Sequence, residues 1–126
     1  MTIQIFVYGT LRSGGSHWSR LLSPLEGEQA MTEPQYIMRS HGHFPSVHRG
    51  GVTAIRGEVL SVNAEQLITL DQLEGHPHCY CREQVPVTLH NGQNVVAWIY
   101  LMPPESHLDA EIIASGDWTD HPSSGE

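Results

Sequence analysis

The sequence predicts an α+β fold: a small, mixed, barrel-like β-sheet of about six strands with one main helix and short helical pieces. Three observations lead there. Strand-like runs dominate the chain and do not alternate regularly with helices, as a parallel α/β sheet would require. Only Ala64 to Leu73 combines apolar residues at helical spacing with a start and a stop signal. The 126 residues suffice for one core but not two, so one domain is expected over residues 1–120, followed by a polar tail at 121–126.

In chain order, Ile3 to Tyr8 is apolar on both faces, the mark of a central buried strand. Gly9 to Gly15 is a loop of small residues, and a short helical piece is expected around His17 to Leu22. Gly27 to Thr32 and Tyr36 to Arg39 are modest strands separated by Pro34, and His41 to Gly51 is expected to be a loop. Thr53 to Val62 is a strand in which Gly57 signals a bulge or a close contact with another backbone. Tyr80 to Leu89 and Asn94 to Leu101 form a hairpin, for which Asn91-Gly92 favours a type I′ turn. Asp109 to Ala114 is expected to add a short helical turn.

The helix carries the first chemical clue. Asn63 can cap it with Gln66 reaching back, and Leu67, Leu70 and Leu73 mark the inward face. Gly75 suits the left-handed closing residue, and Pro77 forbids continuation. Glu74 projects from the apolar face at the carboxyl end, where burial and the helix macrodipole both raise its pKa. That is the direction a carboxylate needs to act as a base near neutral pH. A glutamate that curls out to water fits the same pattern.

Composition removes several function classes. Fourteen acidic against six basic residues, a formal charge of -8, argue against a nucleic-acid or anionic-membrane surface. The chain has no lysine, so a Schiff base and a phosphate-loop lysine are excluded, and Ser13-Gly14-Gly15-Ser16 reads as a turn. No apolar run approaches a membrane span, and Met1-Thr2-Ile3 leads straight into a strand, so a cytoplasmic location is expected. Cys79 and Cys81 are expected to be free thiols. Nine histidines invite a metal reading, but an extended His76 to Cys81 would put His76 and His78 on one face and the cysteines on the other. That is half a site even if His41 or His43 joined it, and no metal is expected. No heptad or apolar helix calls for a dimer, so a monomer or weak homodimer is expected.

The second clue is Tyr8-Gly9-Thr10-Leu11. A buried strand ending in a glycine turn presents main-chain N–H groups at the sheet rim, a concavity for a carboxylate or other anion, although an ordinary connection has the same pattern. Taken in order, several landmarks resemble the gamma-glutamylcyclotransferase-like (AIG2-like) family. They are Val7 to Arg12, Gly57-Glu58-Val59, Leu70 to Gly75, Tyr80-Cys81-Arg82, Ala97 to Tyr100 and Ser115 to Trp118. Each motif is weak alone, but together they span most of the chain and are specific for the fold.

The resemblance implies a small mixed barrel with helices and a pocket lined by Tyr8, Gly9, Thr10 and Leu11 through backbone amides. It also implies Glu74 as catalytic proton acceptor and Tyr80 at the pocket edge, with Tyr100 a weaker candidate. The implied reaction cyclises a γ-glutamyl amine or amino acid to 5-oxoproline, without metal or organic cofactor. The expected partner is thus a small γ-glutamyl substrate. The alternative is a non-catalytic binding module for a γ-glutamyl or acidic metabolite, or for a protein.

Overall fold

A computed structural model of the chain describes residues 2–9, 27–42, 44–76, 78–103 and 110–118. The helical piece expected at His17 to Leu22, the Ser13 to Ser16 turn, Pro77 and the 121–126 tail lie outside the described residues. The strands are β1 (Ile3–Val7), β2 (Glu28–Thr32), β3 (Tyr36–Ser40), β4 (Pro45–Arg49), β5 (Arg56–Val62), β6 (Cys81–Leu89), β7 (Asn94–Leu101) and β8 (Glu111–Ile112). The helix α1 (Ala64–Glu74) joins β5 to β6.

Five strands close into a barrel in the order β1-β5-β2-β6-β7. Neighbours are antiparallel except β1 and β7, which run parallel with Ile5 opposite Trp98. The sheet is therefore mixed and barrel-like, as expected. Gly57 is the close contact its position suggested: a Cβ there would collide with the Val7 carbonyl oxygen and lie 2.8 Å from Phe6 Cζ. Pro86 sits inside β6 without breaking the barrel, because β2 ends at Thr32 opposite Val87 and no neighbour needs the missing N–H.

A second, three-stranded sheet runs β4-β3-β8 and corrects two expectations. Pro45–Arg49 is a strand rather than loop, paired along β3 from Tyr36↔Arg49 to Ser40↔Pro45. Its polar residues hid it, since Ser46 and His48 are buried and look like loop residues in sequence. Each has a partner: Ser46 Oγ lies 2.8 Å from His41 Nε2, and His48 Nε2 accepts from Arg39 Nε at 3.1 Å. Glu111–Ile112 is likewise a short strand, where a helical turn was expected, because Arg39 and Ser40 offer an open edge. The β6–β7 connection differs too. The Gly92 N–H donates to the Leu89 carbonyl at 2.8 Å, which makes Gly92 (φ 90°) the fourth residue of a turn from Leu89, not the third of a type I′ turn.

The two faces of β1 feed two apolar clusters. Phe6 and Tyr8 point into the barrel with Val59, Val85, Val87 and Ile99. Ile5 and Val7 face the other way, with Leu60, Val62 and Leu70 of α1. Fully burying Leu70 stabilises the helix contact by about 1.5–3 kcal/mol. Trp118 reaches the barrel cluster from the closing segment, where Gly116 (φ 70°) accepts a hydrogen bond from Arg56 N at 2.8 Å.

The strand crossing at Gly57 and the cap at Asn63 predict a graded pair. Gly57→Ala should cost about 2 kcal/mol or more, because the Val7 backbone cannot give way within the barrel. Asn63→Ala should cost about 1 kcal/mol, the value of one cap. Urea denaturation of both variants tests the order, and a Gly57→Ala protein as stable as the parent would contradict the packing.

Candidate active site

The site starts where α1 stops. Asn63 Oδ1 accepts from the Gln66 N–H at 2.8 Å and Gln66 Oε1 from the Asn63 N–H at 2.9 Å, the reciprocal cap expected from sequence. At the other end Gly75 is left-handed (φ 68°, ψ 34°). The His76 N–H returns to the Asp71 carbonyl at 2.9 Å and the Gly75 N–H to Gln72 at 3.3 Å, a Schellman closure. The chain then folds back, with Tyr80 N donating to the Glu74 carbonyl at 3.2 Å. His76, His78 and Cys79 therefore belong to a turn rather than to an extended segment.

This reversal sets Glu74 and Tyr80 on the wall of a cavity of about 580 Å³. Tyr8 and Gly9 line it from the end of β1, Phe44 and Pro45 from β4 and the residue before it, and Tyr100 from β7. Leu73, expected inward, is 43% exposed and forms part of the same wall, so the core face of α1 is carried by Leu70 with half-buried Leu67. Of the residues singled out from sequence, Tyr8, Gly9, Glu74 and Tyr80 meet at this cavity, while Thr10 and Leu11 lie outside the described residues. Gly9 has a packing reason as well: a Cβ would stand 2.8 Å from Pro45 Cδ.

Burial raises the Glu74 pKa from 4.5 to about 7. Among the described residues no arginine lines the cavity, and no hydrogen bond or ion pair reaches the Glu74 carboxylate. Tyr8, Tyr80 and Tyr100 are all pushed above the ordinary phenol range, first by burial and then in part by the Glu74 charge. For Tyr100 the hydrogen bond to Asp71 and the Asp71 charge come before Glu74. Their hydroxyls donate elsewhere: Tyr8 to the Tyr100 carbonyl at 2.7 Å, Tyr80 to the Pro45 carbonyl at 3.0 Å and Tyr100 to Asp71 Oδ1 at 2.7 Å.

Asp71 is the residue that sequence reasoning passed over. It also accepts from Arg82 Nε at 2.9 Å, and the Arg82 guanidinium lies 4.5 Å from the centre of the Trp98 ring. Burial pushes the Asp71 pKa up, but the hydrogen bonds from Arg82 and Tyr100 and the Arg82 charge outweigh it, and the net shift is downward. The only sequence signal was its place one helical turn before Glu74; the partners lie 11 and 29 residues away on strands.

No group of three or more His, Cys, Asp or Glu side chains is arranged for a metal among the described residues. His76 Nδ1 instead accepts from the Arg82 N–H at 3.2 Å. Cys79 and Cys81 are free and exposed, as expected. No helix among the described residues is long and apolar enough to cross a membrane.

Comparison with known proteins gives a consistent picture. The profile of the family described as Gamma-glutamyl cyclotransferase, AIG2-like, matches residues 5–120. A protein of Methanocaldococcus jannaschii, whose name assigns it provisionally as a gamma-glutamylcyclotransferase, is 32% identical over 118 residues, covering 93% of this chain and 96% of its own. A Danio rerio protein named Gamma-glutamylaminecyclotransferase A is 29% identical over 111 residues, covering 79% and 69%. The crystal structure of an AIG2-like protein from Mus musculus shares the fold, with a TM-score of 0.75 at 21% identity and coverage of 96% and 91%.

The buried acid makes stability depend on pH. Between pH 4.5 and about 7 the unfolded chain ionises Glu74 while the folded one keeps the proton. The contribution is thus fully present below 4.5 and lost as pH rises through 7. Glu74→Gln carries no such charge and should exceed the parent by about 2 kcal/mol at pH 8, allowing for water at the cavity mouth. At pH 4 the two urea midpoints should coincide. Equal midpoints at pH 8 would mean the carboxylate is not desolvated.

Proposed function

The chain belongs to the gamma-glutamyl cyclotransferase, AIG2-like family, and from that premise we propose that it cyclises γ-glutamylamines to 5-oxoproline with Glu74 as the proton-transfer group. The observation that carries this reading is a largely desolvated carboxyl beside the end of β1, in a cavity whose other lining residues are mostly aromatic and apolar, with Gln72 and His78 among them.

In the proposed reaction the substrate's α-amine attacks its own γ-carbonyl carbon. A C–N bond forms within the molecule, closing a five-membered ring, and the C–N bond to the departing amine breaks. Because both reacting atoms belong to one molecule, holding it folded supplies much of the advantage. The amine is mostly an ammonium at neutral pH and cannot attack. Glu74 takes a proton from the ammonium and returns it to the departing nitrogen, and the ring nitrogen's remaining excess proton passes to the released amine, so the carboxylate is regenerated and no redox partner, metal or cofactor is called for by the chemistry. A pKa of about 7 suits both halves of this exchange. The main chain at Tyr8 and Gly9, continuing into Thr10 and Leu11, is read as the cradle for the substrate's carboxylate or the developing oxyanion. Tyr80 is read as a pocket-edge contact.

The choice of an amine as leaving group has two supports. The zebrafish relative is named for γ-glutamylamines. In addition, no arginine lines the cavity among the described residues, and the chain has no lysine, so a second substrate carboxylate finds no permanent counter-charge on those walls. A volume of about 580 Å³ encloses a ligand larger than the glutamyl group alone.

A panel of γ-glutamylamines, γ-glutamyl amino acids and glutathione, assayed for 5-oxoproline, tests this reading. Turnover is expected, greatest for the amines, and kcat/KM should climb with pH through an apparent pKa of about 7, because the free enzyme must hold Glu74 ionised. Glu74→Gln should lower kcat/KM by roughly 10²–10⁴-fold, the usual worth of such a group. Absence of 5-oxoproline from every substrate would leave a binding protein, and an undiminished Gln variant would move the base elsewhere.

A further inference from the structure

Three phenols line the same cavity as the Glu74 carboxylate, and a phenol is a natural donor to a carboxylate. Here each one has its single proton engaged elsewhere. Tyr8 gives its proton to the Tyr100 carbonyl at 2.7 Å and Tyr80 to the Pro45 carbonyl at 3.0 Å, both main-chain acceptors fixed by strands. Tyr100 gives its proton to a side chain, Asp71 Oδ1, at 2.7 Å. Asp71 lies one turn before Glu74 on the same helix and is held in turn by Arg82 Nε at 2.9 Å.

We infer that Asp71 is a positioning residue for Glu74: by accepting the Tyr100 hydroxyl proton it keeps that phenol from donating to the cavity carboxylate. This rests on the reading of Glu74 as proton acceptor. The physical reason is that a hydrogen bond to the charged form of an acid favours that form and weakens it as a base. Desolvation alone would not protect the carboxylate's basicity in a pocket walled by hydroxyls, since buried polar groups pair with whatever donor is free. Two of the phenols are diverted by the backbone, and only the third depends on a replaceable side chain.

The groups facing Glu74 come from every neighbouring element. Tyr8 follows β1, Tyr80 precedes β6, and Tyr100 belongs to β7. His78 and Cys79 line the cavity from the turn after α1, whereas Asp71 and His76 are not among its lining residues and are both held by Arg82 of β6. Of these, Tyr100 is the hydroxyl whose acceptor can be removed without altering the main chain.

The test is a ¹³C NMR titration of the glutamate carboxyls in the whole protein, with the Glu74 signal identified by its absence from Glu74→Gln. Asp71→Ala frees the Tyr100 hydroxyl and should move the Glu74 midpoint down by about one unit. Adding Tyr100→Phe to Asp71→Ala removes that hydroxyl and should restore the parent midpoint, a rescue that a merely structural role of Asp71 would not give. An Asp71→Ala midpoint equal to the parent's overturns the inference, as does a double variant that stays low, since Asp71 would then act through charge. If Asp71→Ala does not fold, Asp71→Asn serves: it keeps an accepting oxygen without the charge, so the midpoint should stay high, and a fall overturns the inference. The acid limb of kcat/KM should follow the NMR midpoint in each variant. The titration needs no turnover, so the expected shifts in a protein that releases no 5-oxoproline would uphold the role of Asp71 and reject the catalytic reading alone.

Discussion

Everything at the cavity depends on where α1 ends. A helix one residue longer would turn the exit of the chain by about 100°, because each residue turns the helix by that angle, and Tyr80 could not return its N–H to the Glu74 carbonyl. Three things stop it at Glu74. Gly75 adopts the left-handed conformation, its N–H and that of His76 close onto the last carbonyls, and the following turn folds tightly enough to bring Tyr80 back beneath the helix. Gly75 is doubly required, since a Cβ would stand 3.1 Å from Cys79 Cβ as well as strain the backbone. The reciprocal cap at Asn63 fixes the other end, so helix length and face are both determined locally.

Against that fixed helix, the barrel supplies the opposite wall. The double-sided burial of β1 and its register with β5 as far as Val7↔Glu58 fix where Tyr8 and Gly9 leave the strand, while the parallel pairing with β7 brings Tyr100 alongside. The hydrogen bond from Tyr8 to the Tyr100 carbonyl ties the two strand ends together, and that from Tyr100 to Asp71 ties β7 to the helix. Tyr80 does the same for β4 through Pro45. The tyrosines thus act first as struts between elements, and their hydroxyl protons are spent in doing so. A protein with six basic residues, none of them lysine, has little positive charge with which to offset a buried acid, and its cavity carboxylate remains costly to ionise. Such local instability is a common companion of a working site.

Much of this was legible in the residues themselves, and the failures have a shared cause. The cap, the helix, its stop and the misplaced acid were visible because each rests on residues within about four positions of one another. The strand β4 was not, because Ser46 and His48 are buried polar residues whose partners, His41 and Arg39, sit on the neighbouring strand segment. The hairpin turn was placed at the right glycine but one position out, since two turn types use Asn-Gly and the hydrogen bond from Gly92 to Leu89 decides between them. Leu73 followed the helical period, yet the cavity removed the neighbour it would have packed on.

By itself, then, the sequence determined the mixed sheet with one main helix, an acidic chain without lysine, and an acid at an awkward helix end, because propensity, capping and charge count are properties of short stretches. Tertiary structure alone decided that the acid and the end of β1 share one cavity, that three phenols crowd it, and that Asp71 and Arg82 stand behind them. Those contacts join residues tens of positions apart, and their geometry is set by strand register and barrel closure, to which no local pattern has access.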